Sequence, residues 1–275
     1  MSVPSATRRS LLFAGLAGAA GVRAQAMPED LDTPFVITPT NVVTAMLDMA
    51  NVRAGDRLLD LGSGDGRIVI AAAQRGAIAT GIEIDQKLVR LSREHARRLN
   101  LGERATFVTR DLFDTRYDGY DVITLYLLPD VNRRLAPKFL ALKAGTRIVS
   151  HDYGLGDWTA DRTIVVDAPD KPVNAVKKST ILFWRVPARI AGRWRGEAGG
   201  VLIDLQLEQS YQTVAGSLRW RGRDHAFDGA RVDGAGVTLA IPAADLAISL
   251  HAIGDRLDGE LRERDRPPLH LVLTH

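Results

Sequence analysis

From residue 57 to residue 151 the chain alternates short apolar runs with longer amphipathic ones. The apolar runs 57–61, 78–84, 105–109, 121–127 and 146–151 have strand length, and helical spacing fills 66–74, 86–99 and 130–142 between them. Upstream, Val43, Met46, Leu47 and Ala50 recur at helical spacing behind Thr40, which the pattern predicts as the N-cap. Strand–helix alternation of this kind predicts an α/β fold, a Rossmann-like parallel sheet with helices on both faces. Two further runs, 163–166 and 179–186, are separated by Pro- and Lys-containing turn residues and predict a hairpin at the sheet edge, for seven strands in all.

The texture changes after Pro187. Helical periodicity disappears, and polar and apolar residues alternate from Val201 to Glu208. Turn signals follow at Ala215-Gly216, Arg221-Gly222, Asp228-Gly229, Asp233-Gly234, Gly254-Asp255 and Asp258-Gly259. That spacing predicts an antiparallel meander, small sandwich or barrel. The chain therefore divides into a leader (1–26), an α/β domain (27–187) and a β-rich module (188–275).

Composition narrows the chemistry. With 45% hydrophobic residues there is ample material for a core, and with no cysteine there is no thiol catalysis, disulfide or cysteine-ligated metal. No metal site is expected. The 36 basic residues outnumber the 33 acidic ones, but Arg8, Arg9 and Arg23 lie in an acid-free leader, and without them the formal charge is zero. The excess belongs to the leader, so no nucleic-acid partner is expected.

That leader has three parts: Thr7-Arg8-Arg9-Ser10-Leu11-Leu12-Phe13, an apolar stretch from Leu11 to Val22 too short to span a bilayer, and Ala24-Gln25-Ala26. The order resembles a twin-arginine export signal with an A-x-A cleavage site. It predicts export to the periplasm, or an inner-membrane tether; if the leader does not function, the protein stays in the cytoplasm.

The chemistry concentrates in Leu58-Leu59-Asp60-Leu61-Gly62-Ser63-Gly64-Asp65-Gly66-Arg67, a strand running through a glycine loop into a helix. Glycine lets the backbone turn sharply and approach a ligand, and the helix start offers unpaired N–H groups to a carboxylate. Glu83 ends the next strand, twenty-one residues after Gly62, where an acid accepts from both ribose hydroxyls. Asp111 follows the third strand; there its carboxylate would take the adenine amino group while the backbone of Leu112 meets the ring edge. A nicotinamide enzyme would want glycine at position 67, which is Arg67. The parts fit S-adenosyl-L-methionine better, with Asp60, Gly62, Ser63, Gly64, Gly66, Glu83, Asp111 and Leu112 as its expected contacts.

The stretch from Asp60 to Ile70 resembles small seven-strand protein-lysine methyltransferases that modify ATP synthase and the adenine nucleotide translocase, together with their bacterial relatives. Pro34-Phe35-Val36, Thr38-Pro39, Tyr126-Leu127-Leu128-Pro129, Gly145 to His151 and Gly156-Asp157-Trp158 extend the resemblance over about residues 33–186. Ile37 departs from the more compact Pro-Phe-Val-Pro-Thr form. The resemblance implies a lysine acceptor on a protein, a membrane-associated one. Tyr126 and Pro129 at the end of the fourth strand, with His151 at the end of the fifth, are then the candidate catalytic residues. His151 reads equally as a structural histidine, and Trp158 as an acceptor-channel cover or a core residue. Alternatives are a small-molecule methyltransferase and a non-catalytic exported binding protein that recognises its ligand through the β module, where Trp194 and Trp220 are binding or core residues.

Overall fold

The computed structural model describes residues 35–172 and 176–275; the leader and Pro34 lie outside the described residues. The α/β half contains β1 (Arg57–Leu61), β2 (Ile78–Glu83), β3 (Ala105–Thr109), β4 (Val122–Leu125), β5 (Arg147–His151), β6 (Arg162–Asp167) and β7 (Lys178–Arg185). Its helices are α1 (Thr40–Met49), α2 (Arg67–Gln74), α3 (Gln86–Arg98) and α4 (Pro129–Leu140). The strands form one sheet in the order β3-β2-β1-β4-β5-β7-β6, parallel except for β7, which runs antiparallel to β5 and β6.

Two-residue periodicity sends alternate side chains to opposite faces. Leu58, Ala79, Phe107, Val122 and Val149 pack with α1, α2 and α3 on one face. Leu59, Leu61, Ile123, Leu125 and Ile148 pack with Val131, Leu135 and Phe139 of α4 on the other. The central strands are therefore buried on both sides, which explains their unbroken apolar runs. Helix starts follow local chemistry. The Asp85 side chain accepts from Lys87 N–H at 2.7 Å to cap α3, and Pro129 opens α4, where a missing N–H costs nothing. One expected cap is corrected: Pro39, not Thr40, is the N-cap of α1, because its carbonyl already accepts from Val43 N–H at 3.0 Å.

The C-terminal half comprises β8 (Gly192–Ala198), β9 (Val201–Ser210), β10 (Thr213–Trp220), β11 (Arg223–Asp233), β12 (Gly236–Ile241), β13 (Leu246–Ile253), β14 (Arg256–Glu263) and β15 (Leu269–Thr274). They close into an antiparallel barrel, β15 pairing with β8 and β9 with β10. Trp194, Leu205, Leu218, Leu239, Ile248 and Leu273 fill it. Arg221-Gly222 and Gly254-Asp255 are two-residue hairpin turns. Three expected turns are not turns: Ala215-Gly216, Asp228-Gly229 and Asp258-Gly259 lie inside β10, β11 and β14. Gly216 and Gly259 are there because the neighbouring strand comes too close for a side chain. A Cβ would stand 2.0 Å from the Gln206 carbonyl oxygen and 1.9 Å from that of Ser249.

Asp32–His275 forms one compact unit, so the two halves pack together. Arg185 pairs with Asp233 and Arg231 with Asp161, each at 2.8 Å. Trp158 is 1% exposed; its Nε1 donates to Gln212 Oε1 at 2.9 Å and its ring stacks on Tyr211. It is a core residue of the junction and does not cover an acceptor channel.

Candidate active site

Strand order reverses direction between β1 and β4, which opens a crevice at their carboxyl ends, where open α/β sheets bind ligands. Gly62, Gly64 and Gly66 occupy that edge with φ of +72°, +54° and +84°. Space is as restrictive as conformation. A Cβ on Gly62 would meet Leu127, one on Gly64 the Phe35 ring, and one on Gly66 the side chains of Phe107 and Ser92. Glu83, at the end of β2, reaches across to this loop. Its Oε2 accepts from Gly64 N–H at 2.9 Å, and its Oε1 accepts from Ile84 and Asp85 N–H at 2.8 and 3.0 Å. Glu83 thus fixes the loop.

Asp60, just before the loop, is 2% exposed and accepts from Thr124 Oγ1 at 2.7 Å. Burial pushes its carboxyl up to about 7, against the pull of the Thr124 hydrogen bond, with Glu83 and Asp65 adding to the rise. Ser63 Oγ is buried without a hydrogen-bond partner, and the α2 N-terminus at Gly66 has no side-chain cap. An orphaned hydroxyl and a helix start whose N-cap residue has no side chain, beside a glycine cradle, fit the amino-acid end of adenosylmethionine. Asp111 Oδ1 accepts from Phe113 N–H at 2.7 Å, starting the short 3-10 turn Leu112–Asp114, and the Leu112 carbonyl accepts from the Tyr117 hydroxyl. These bonds hold that loop beside the ends of β2 and β3.

The candidate catalytic residues converge on the other side of the crevice. Tyr126 follows β4; its ring lies 3.9 Å from that of His151 and 6.3 Å from that of Tyr153. Its hydroxyl donates to Asp152 Oδ2 at 3.4 Å. Burial first, and the nearby Asp152 charge second, push the phenol well above its ordinary value, so it stays a hydrogen-bond donor. His151 is fully buried. Its Nδ1 lies 3.3 Å from Thr38 Oγ1 and its Nε2 2.8 Å from Ser179 Oγ. Burial lowers it to about 4, so the ring is neutral and has no exposed edge from which to take a proton. Pro129 is the first residue of α4.

Further residues, not among the expected contacts, hold the site together. Ser92, in the middle of α3, donates to the Gly64 carbonyl at 3.0 Å. Arg67 grips Asp65 at 2.5 Å and donates to the Thr38 carbonyl at 2.7 Å, tying the N-terminal segment to the loop. The Asp65 carboxyl is lowered, Arg67 overcoming the opposing effect of burial. Lys171, 3% exposed, pairs with Asp152 at 2.6 Å. In sequence Ser92 and Lys171 read as ordinary polar residues, since each partner lies in another element.

A seven-strand sheet in this order, with an acid-flanked glycine loop at its reversal point, defines a class I adenosylmethionine-dependent methyltransferase. The comparisons narrow the class. A family model described as the ANTKMT methyltransferase domain matches residues 60–162. A protein-lysine N-methyltransferase of Saccharolobus islandicus is 37% identical over 49% of this chain and 85% of its own length. The chain belongs to this methyltransferase family, and its cofactor is S-adenosyl-L-methionine. A mouse lysine N-methyltransferase named for ATP synthase is 36% identical over 47% of this chain, which spans about half (53%) of that relative. A crystal structure of an RNA methyltransferase from Salinibacter ruber in complex with S-adenosyl-L-homocysteine is 43% identical, with a TM-score of 0.50, over 56% of this chain and 96% of the other.

Proposed function

We propose that the protein methylates the ε-amine of lysine on a protein, a membrane-associated one. One observation carries this reading: the acceptor side of the crevice offers a phenol oxygen that can accept from an amine N–H but, among the described residues, no free base. The Tyr126 phenol stays protonated and His151 is sealed. A carbon or hydroxyl acceptor needs a proton removed during transfer, whereas an amine can shed its proton beforehand and attack as the neutral base. The relatives named as lysine methyltransferases, including a mouse enzyme for the adenine nucleotide translocase at 35% identity, support the same acceptor.

In this reading Gly62, Ser63, Gly64 and Gly66 cradle the amino-acid end of the cofactor, with Asp60 facing its ammonium. Glu83 takes the ribose, and Asp111 with Leu112 takes the adenine. When bound, adenosylmethionine supplies a methyl group activated by its sulfonium. The chain's task is to hold the amine ~3 Å from that carbon, in line with the breaking bond, and to keep water out. Tyr126, oriented by Asp152 and braced by His151, positions the amine, whose lone pair forms the new C–N bond as the C–S pair returns to sulfur. The leader 1–26 is proposed to direct export or tethering, which brings the enzyme to a membrane; fractionation with N-terminal sequencing tests it.

Labelled cofactor with a membrane extract from a deletion strain tests the acceptor. Label in methyl-lysine after protein hydrolysis is expected; label confined to RNA, lipid or small molecules overturns it. Tyr126→Phe should lower kcat while leaving cofactor affinity near the parent value, because the hydroxyl acts on the acceptor.

A further inference from the structure

A cleft of about 650 Å³ lies where the sheet meets the barrel, at the amino ends of β4 and β5, the opposite edge from the glycine loop. Its floor is the contact of two glycines, Gly145 and Gly234, at φ of +91° and +59°; a Cβ on Gly234 would stand 3.3 Å from Gly145 Cα. Five cations, Arg53, Lys143, Arg147, Arg162 and Arg185, line it against two acids, Asp121 and Asp233.

The pairing is uneven. Arg147 is committed to Asp56 at 2.7 Å and to the carbonyls of Ala50 and Asn51, and Arg185 to Asp233 at 2.8 Å. Asp121 already accepts from Arg57 N–H at 2.9 Å. That leaves Arg53, Lys143 and Arg162 without a carboxylate partner among the described residues, Arg162 resting over the Phe183 ring. Most arginines of the barrel, by contrast, are neutralised. On the barrel surface Arg193, Arg219, Arg221, Arg256, Arg262, Arg264 and Arg266 all lie within ion-pair distance of an acid. A concave wall of unpaired like charges concentrates positive potential and draws anions.

We propose that this cleft is a second binding site, for a phosphate-bearing ligand of charge −2 or more negative, held by Arg53, Lys143 and Arg162. Arg147 and the backbone at Gly145 and Gly234 shape its floor. The phosphate comes from a soluble phosphorylated molecule or from an anionic lipid headgroup. The site lies at the far end of the strands from the methyl-transfer crevice, so a ligand here acts on docking or regulation and leaves the reacting atoms untouched.

The test uses the full chain with adenosylhomocysteine present, so that the glycine loop is occupied. Calorimetry with inorganic pyrophosphate should give saturable binding, weakened about tenfold or more in Arg53→Gln/Lys143→Gln, with Arg219→Gln as the paired-arginine control. If the source is lipid, the parent and not the double variant sediments with vesicles of cardiolipin in phosphatidylcholine. Unchanged adenosylhomocysteine affinity shows that the variant is folded. In the parent, hydrogen exchange with pyrophosphate should slow at 143–147 and 233–236. Absence of both pyrophosphate and vesicle binding, equal binding by the double variant, or protection only elsewhere overturns the proposal.

Discussion

The two halves of the chain use glycine and charge for opposite purposes. In the sheet half, Gly62, Gly64 and Gly66 take left-handed backbone at a strand end, where a ligand must come close. In the barrel, Gly196, Gly216 and Gly259 sit inside strands, where the neighbouring backbone leaves no room for a Cβ. Charge divides the same way. Residues 188–275 hold eleven arginines and twelve acids, no basic excess, and most are paired on the surface. At the glycine loop and the neighbouring strand ends, Asp60, Glu83 and Asp111 have no cation partner among the described residues; backbone N–H groups and hydroxyls hold them instead. In the barrel these residue types build the fold. At the strand ends they are the groups we propose for the ligand, and the burial of Asp60 carries a cost in stability.

The sharpest break of that comparison is steric. Gly216→Val drives a Cβ to 2.0 Å from a backbone oxygen, with no flexible side chain to yield. It should cost roughly 3 kcal/mol or more and collapse the barrel's melting transition. Gly64→Val, whose Cβ meets the movable Phe35 ring, should instead stay folded and lose adenosylmethionine binding. If Gly216→Val melts like the parent, glycine in the barrel is not there for close approach. Next comes charge. Glu83→Ala should weaken adenosylmethionine by roughly ten- to a hundredfold in calorimetry. Arg221→Ala on the barrel should shift stability by no more than about 0.5 kcal/mol.

Titration sharpens the contrast further. With Asp60 raised to about 7, its ionised form, which would face the cofactor ammonium, is scarce below that pH. Affinity for adenosylmethionine should therefore fall by up to about tenfold from pH 8 to pH 6, and Asp60→Asn should flatten the profile. Stability runs the other way. A carboxyl whose folded value is raised contributes fully below its unfolded value near 4, and that contribution is lost as pH rises through about 7. Asp60→Asn should thus raise Tm most at pH 8, while weakening cofactor binding there. The smallest effect concerns separation of the halves. A fragment of residues 27–187 should bind adenosylmethionine within about threefold of the full chain, although losing Gln212 and Tyr211 from Trp158 lowers its Tm. A folded fragment blind to the cofactor would show that the barrel shapes the crevice.

The sheet half was legible almost residue by residue, because its information is local. Apolar runs bounded by Gly62 or Asp121 read as buried strands, and Gly-x-Gly-x-Gly before an amphipathic run reads as a loop opening a helix. The barrel was legible only as a class. Alternation in 201–208 announces a half-buried strand, but glycine inside a strand looks the same as glycine in a turn, so Asp258-Gly259 was misplaced and the real turn Tyr211-Gln212 carried no signal. Ser92 and Lys171 were invisible for a related reason: each owes its place to a partner in a separate segment, the Gly64 carbonyl and Asp152.

The sequence by itself determined the order of strands and helices, the glycine loop, and the acids at three strand ends. These depend on residues within a few positions of one another. Tertiary structure alone decided that Glu83 holds Gly64, that His151 is sealed between Thr38 and Ser179, that the barrel closes β9 onto β10, and that Trp158 belongs to the junction. It also brought Arg53, Lys143 and Arg162 to one cleft from three distant segments. Which groups lose their water, and which charges face one another, depends on packing between elements far apart in the chain, and that is where the desolvation and hydrogen-bond energies of this site arise.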